Sequence, residues 1–188
     1  MASGRSHDHA TRVLALPFGL LWTPLGLAAA AIATAAFLIG GLWLSPDLDT
    51  RSLATRRWGA LSLLWWPYRR LLKHRSIWSH CPAIGTAGRL FYLGSVMGLG
   101  SVLLMPFGIP GPEELLQAAQ WLWSEQRPLL VAGLAGIELS SWLHLLQDGD
   151  PMPRLRWNPL LLSKPFSPRR QPNRSRTGKK GRGRPWWR

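Results

Sequence analysis

The sequence predicts an all-α integral membrane helical bundle. It has about three spans, a short N-terminal helix, interfacial helices and a disordered basic C-terminal tail. Three observations predict this. No charged residue lies between Val13 and Leu44 or between Leu90 and Pro112, and Glu138 is the one formal charge between Pro128 and Leu146. Runs of about 20 apolar residues are what a hydrocarbon core about 30 Å thick requires. Residues 151–188 carry twelve Lys or Arg and no acid, and are rich in Pro, Gly, Ser and Asn. Such a segment buries too little apolar surface to offset the entropy of ordering it. In residues 50–88, Trp58, Trp65, Trp66, Trp78 and Tyr68 alternate with Arg56, Arg57, Arg69, Arg70 and Lys73. That mixture is typical of the lipid headgroup zone. The chain therefore divides into a helical membrane domain, 1–150, and a tail, 151–188.

Each element follows in order. The apolar run Val13–Leu44 has 32 residues, too many for one span, and Pro17 and Pro24 interrupt it. Trp22-Thr23-Pro24-Leu25-Gly26 reads as a turn, because Pro removes a helix donor and Gly admits unusual dihedrals. The run then becomes two helices, about Ser6–Trp22 and about Leu25–Leu44, of which the second spans. Ala28–Ala36 with Gly40-Gly41 suits close helix packing in lipid. A short interfacial helix is expected at about Leu61–Leu72 and a second span at about Arg89–Ile109, ended by Pro110-Gly111-Pro112. An amphipathic helix at about Glu113–Ser124 and a last span at about Pro128–Gln147 complete the domain.

Charge sets the orientation. Residues 50–89 hold eight Lys or Arg, whereas the 110–127 connector holds three Glu and one Arg. By the positive-inside rule, residues 50–89 and the tail are cytoplasmic, and Arg5 and Arg12 favour the same side for the N-terminus. The single Cys81 excludes an intramolecular disulfide and a secreted disulfide scaffold. The first apolar run is too long for a cleavable signal peptide.

Against this apolar background, five His and nine acids are unevenly placed. Most fall in four clusters: His7-Asp8, Asp47-Leu48-Asp49, the segment from His74 to His80, and Glu138 with His144 and Asp148. With residues 6–44 as a hairpin, all four lie at the cytoplasmic face. Asp47 and Asp49 follow Pro46 at the mouth of a span, where both can face one cation or simply form a solvated helix end. His74 and His80 are imidazoles of the type that ligates zinc. Arg75 between them can hold a phosphate or carboxylate. The alternative is a pair of interfacial His near anionic headgroups. On a helix, Glu138, Ser141, His144 and Asp148 share an arc of about 120°. A carboxylate at the depth of Glu138 is a functional candidate, or else a protonated or hydrogen-bonded one. His7-Asp8 is either a ligand pair or a helix start with Asp8 at its positive end. His9 has no such company.

These residues also carry a resemblance. Ser3-Gly4-Arg5-Ser6-His7-Asp8, Pro46-Asp47-Leu48-Asp49, Arg57-Trp58-Gly59, Trp66-Pro67-Tyr68, His74-Arg75-Ser76 with Ser79-His80, and Gly136-Ile137-Glu138-Leu139 with His144 and Asp148 resemble a cyanobacterial family of uncharacterised metal-binding membrane proteins. The likeness covers about residues 3–150. The Pro-Asp-x-Asp, His-Arg and His-x-x-x-Asp elements are similar to a broader group of membrane-bound metal-dependent hydrolases. In that group two residues separate the His-Arg pair from Thr-His; here three separate Arg75 from Ser79, and Ser replaces Thr.

Together these readings make the chain a metal-binding membrane protein. The resemblance implies a metal-dependent hydrolase acting on a phosphoester or lipid-like substrate at the cytoplasmic face. The metal pool is His7, Asp8, Asp47, Asp49, His74, His80, His144 and Asp148, with a divalent ion, zinc first and manganese second. Glu138 is the candidate general base and Arg75 the substrate anchor. The alternative is a non-catalytic metal-binding membrane protein. In either case membrane lipid is a partner, and the tail attracts anionic lipid or nucleic acid.

Overall fold

The computed structural model describes residues 3–149. The expected tail lies outside them. The described residues are helical, and no strand occurs among them. The helices are α1 (Gly4–Leu20), α2 (Leu27–Leu42), α3 (Leu53–Arg57), α4 (Trp66–Leu71), α5 (Ile77–His80), α6 (Ile84–Leu104), α7 (Pro112–Ser124) and α8 (Arg127–Gln147). Leu27–Asp49, Ile84–Phe107 and Arg127–Gln147 are long and apolar enough to cross a membrane.

The expected hairpin forms. After α1, a 3₁₀ turn at Thr23–Leu25 leads to Gly26, whose φ of 101° is available to glycine at little cost. Pro17 lies within α1 and does not end it. Gly41 meets Thr11, and Gly19 meets Ala30 and Thr34, so α1 returns antiparallel along α2.

α2 and α8 run parallel. Ile32 touches Gly133, Gly136 lies on Ala33 and Phe37, and Gly40 lies on Ile137 and Ser140. A Cβ at Gly136 would fall 2.7 Å from the carbonyl oxygen of Ala33 and 2.8 Å from the nitrogen of Phe37. Backbone this close is reached only through small residues. The parallel register brings the chain after α2 beside the last turn of α8.

The connector between α2 and α6 departs from the expected interfacial helix. Residues Gly59–Trp65 are 3₁₀ and only Trp66–Leu71 is α-helical, with Pro67 in its first turn. Trp65 and Tyr68 do not lie in an outer belt. They are 1% and 4% exposed, and they form a core with Leu44, Leu48 and Ala54 against Tyr92. Trp66 and Trp78 are exposed. This buried aromatic group supports the segment Pro46–Asp49 from below. α6 begins at Ile84, before the expected Arg89, and the absence of a side chain at Gly85 lets its first turn pack against the carbonyl of Ser79. Arg57 explains part of its motif. Its guanidinium donates to the carbonyl of Leu42 at 2.7 Å and pairs with Asp8, while the Trp58 indole donates to the carbonyl of Trp43 at 3.0 Å. Both satisfy carbonyls that the end of α2 leaves open.

Gly136→Val is expected to destabilise the protein by about 1–3 kcal/mol through overpacking at the α2–α8 crossing. Thermal unfolding in detergent checks this; an unchanged midpoint contradicts the close approach.

Candidate metal centre

The four clusters meet at one end of the bundle. α1 supplies His7, the 3₁₀ turn after α2 supplies Asp47 and Asp49, the α4–α6 connector supplies His74 and His80, and α8 supplies His144 with Asp148 just beyond it. One ligand atom each from His7, His144 and Asp148 lies within 4.8 Å of the others, and the same holds for Asp47, His74 and His80. The two groups adjoin: Oδ1 of Asp47 is 3.6 Å from Nε2 of His144 and 3.8 Å from Nε2 of His80.

The imidazoles follow one rule. Each holds Nδ1 against an anchor in the protein. Nδ1 of His7 meets Oε1 of Gln147 at 2.7 Å, Nδ1 of His74 meets Oδ1 of Asp49 at 2.9 Å, Nδ1 of His80 meets Oγ of Ser79 at 3.0 Å, and Nδ1 of His144 meets Oγ of Ser45 at 3.4 Å. The Gln147 carbonyl and the Asp49 carboxylate can only accept, so Nδ1 carries the proton in His7 and His74. Nε2 is then the free donor of an electron pair. Nε2 of His7 lies 3.3 Å from Oδ1 of Asp148, and Nε2 of His144 lies 3.8 Å from its Oδ2. His7 and His144 stack, with ring centroids 3.9 Å apart.

These groups suit a divalent cation. Nε2 of His80, Nε2 of His144 and Oδ2 of Asp49 are buried without a hydrogen-bond partner. An unsatisfied buried polar atom costs about 1–3 kcal/mol, and several collected in one place need a common reason. The separations of 3.6 and 3.8 Å to Asp47 exceed a hydrogen bond. They approach the roughly 3.3–3.6 Å between ligand atoms that share one tetrahedral ion with bonds of about 2.0–2.2 Å. Imidazole nitrogen with carboxylate oxygen is the donor set of zinc and of other first-row divalent ions.

A profile of a protein family described as "Uncharacterized metal-binding protein (DUF2227)" matches residues 2–157. The chain belongs to this family. The converging His and Asp side chains account physically for the metal binding in its description. An uncharacterised protein of Aquifex aeolicus (strain VF5) is 45% identical over 58 residues, which are 30% of this chain and 40% of that protein. The chain thus spans well under two thirds of that relative's length. No solved structure matches the chain.

The remaining expected site residues are placed as follows. Asp49 has a fully buried side chain and lies behind two rings, with Oδ1 on His74 and Oδ2 3.5 Å from Nδ1 of His80. Asp8 faces Arg57 and belongs to neither group of three. Arg75 reaches Asp148 at 3.9 Å. Its φ of 62° turns the chain sharply, and this turn brings His74 and His80 together across the longer spacing. Glu138 stands apart from both groups. Its Oε1 accepts the N–H of Ala83 at the start of α6 (2.8 Å) and the indole N–H of Trp142 (2.7 Å).

Two supporting residues escaped the sequence reading. Gln147 reads as a helix-end polar residue until the hairpin brings His7 to it. Arg89 is 1% exposed and donates to the carbonyl of Ser79 at 3.0 Å, to Oγ1 of Thr86 at 3.0 Å and to Oγ of Ser141 at 2.8 Å. It thereby fixes the α5 turn that carries His80. The available signal was a lone cation at the edge of a charge-free run.

Asp49→Asn keeps the shape but puts a neutral amide where a carboxylate accepts from the His74 ring. It is expected to weaken metal affinity about 10–100-fold, the usual effect of losing a carboxylate behind a ligating His. Competition with a chromogenic chelator measures this; unchanged affinity removes Asp49 from the centre.

Proposed function

We propose that the protein is an integral membrane, metal-dependent hydrolase of phosphoesters at the cytoplasmic face. The observation that carries this reading is the set of buried, unpartnered Nε2 atoms converging on Asp47 beside an open cavity. That cavity, about 420 Å³, is lined by Arg5, His7, Asp47, Ser52 and His144 among others. A closed structural metal site leaves no such access, whereas a catalytic one keeps a position open. The likeness to membrane-bound metal-dependent hydrolases supports the same reaction class.

In this reading His7, His144 and Asp148 would hold one ion and Asp47, His74 and His80 another, and Asp47 also lies 3.6 Å from His144. Zinc is the first choice and manganese the second. A bound divalent ion supplies Lewis-acid polarisation and acidifies water. Asp148 lies between two imidazoles and the Arg75 guanidinium, where it can serve as a ligand. Arg75 and Arg5 draw the anionic group of the substrate toward the cavity. Glu138, the candidate base, already accepts two hydrogen bonds at the start of α6.

The three apolar helices support membrane insertion, and the basic excess of residues 50–89 supports the cytoplasmic side. The twelve basic residues of the tail make it a tether for anionic lipid or nucleic acid.

Purified full-length protein loaded with zinc or manganese is expected to hydrolyse bis(p-nitrophenyl) phosphate. Chelation and His80→Ala should each reduce the rate by at least about 100-fold. Metal-loaded protein with no activity on phosphoesters contradicts the enzyme reading and favours a non-catalytic metal protein. Cys81 is expected to resist impermeant maleimide added outside intact cells; rapid labelling overturns the orientation.

A further inference from the structure

α1 and α8 both lie on α2 and leave a groove between them. Its volume is about 500 Å³, its walls include Leu14, Phe18, Leu21, Leu143 and Leu146, and Phe37 of α2 lies beneath. Phe37 is 4% exposed, whereas Leu14, Leu21 and Leu146 are 41%, 75% and 59% exposed. We propose that this groove seats one acyl chain of a membrane lipid whose anionic head lies at the metal centre. The proposal rests on the membrane and metal readings above and adds the class of the substrate: an anionic glycerophospholipid.

The helix registers align the groove with the centre. Seven residues advance a helix about 10.5 Å and return to within about 20° of the same face. His7, Leu14 and Leu21 therefore form one stripe along α1. Leu139, Leu143 and Gln147 form the matching stripe along α8, each four residues from the last. The stripes join where Nδ1 of His7 meets Oε1 of Gln147 at 2.7 Å. The apolar groove thus runs in line with the residue pair that orients one imidazole of the centre. Beyond that pair lies the cavity of Arg5, Asp47 and His144.

The chemistry of the lining selects the occupant. Its side chains are apolar, and the one polar hydrogen among them, the Trp142 indole N–H, is already given to Glu138 at 2.7 Å. No donor is left for a sugar, a nucleotide or an extended peptide backbone. An α-helix is about 10–12 Å across with its side chains, and α1 and α8 touch at the site end, so a helix from a second copy does not enter there. A single hydrocarbon chain does. Arg5 at the cavity supplies the positive charge that an anionic head requires.

The test uses full-length protein in phosphatidylcholine vesicles doped with phosphatidylglycerol that bears a diazirine midway along one chain. After illumination, labelled peptides are mapped by mass spectrometry, and metal is measured on the same samples. Labelling is expected to concentrate on Leu14–Leu21 and Leu139–Leu146 relative to Leu99 and Leu103, which are exposed on α6. Leu143→Trp, or Leu146→Trp if the first variant does not fold, fills the groove. It should cut groove labelling about tenfold, the order expected for loss of one aliphatic contact, while α6 labelling and metal content stay unchanged. Even labelling of groove and α6, or a filled groove that labels as before, overturns the chain site. Equal groove labelling by a diazirine phosphatidylcholine overturns the anionic head. Metal-loaded protein with even labelling sinks this proposal alone, whereas metal-free protein with a labelled groove sinks the metal reading and leaves the chain site standing.

Discussion

The close parallel crossing of α2 and α8 is the constraint on which the rest depends. Gly136 and Gly40 let the two backbones approach within side-chain distance. Because the helices run the same way, the turn that ends α2 and the last turn of α8 lie at one end of the bundle. Asp47 then meets His144, and the hairpin of α1 on α2 returns His7 to the same place. A larger residue at the crossing separates these ends and with them the two halves of the centre. The stability of the helix pair and the geometry of the site are therefore one problem.

Within the centre, a second layer of contacts decides what the imidazoles can do. A free ring can turn either nitrogen toward a partner. Here Gln147, Asp49, Ser79 and Ser45 each occupy Nδ1, and Nε2 of His7, His80 and His144 is left facing carboxylates. Anchoring of this kind fixes ring orientation and raises ligand basicity. Asp49 is a buried acid, and Arg89 is a buried base beneath the same turn. Neither is exposed to the solvent that would otherwise screen it, so both depend on the fold for partners.

Much of this was legible in the sequence. Charge-free runs located the long helices, Pro24 with Gly26 located the hairpin turn, and the clustering of His and acids pointed to one site. What failed to show has a physical reason in each case. Spacing says that Asp47 and Asp49 are near one another, but not that one faces the imidazole Nε2 atoms and the other the Nδ1 side. Helical arithmetic put Glu138, Ser141, His144 and Asp148 on one arc, but α6 covers part of that arc, taking Glu138 at Ala83 and Ser141 at Arg89. The headgroup reading of Trp65 and Tyr68 missed an aromatic core because alternation of Trp with Arg is the same whether a ring faces lipid or packs beneath a turn. The left-handed φ of Arg75, which draws His74 and His80 together, leaves no compositional mark in a residue other than Gly or Asn.

The central claim is that buried Nε2 atoms from α8 and the α5 turn bind a divalent ion. Metal content of the detergent-purified, zinc-equilibrated full-length protein tests it most directly, with His80→Ala and His144→Ala beside His9→Ala as an exposed control. The claim predicts tightly held metal in the wild type and in His9→Ala, and its loss in the other two. Metal-free wild type, or the same metal content in all four proteins, contradicts it.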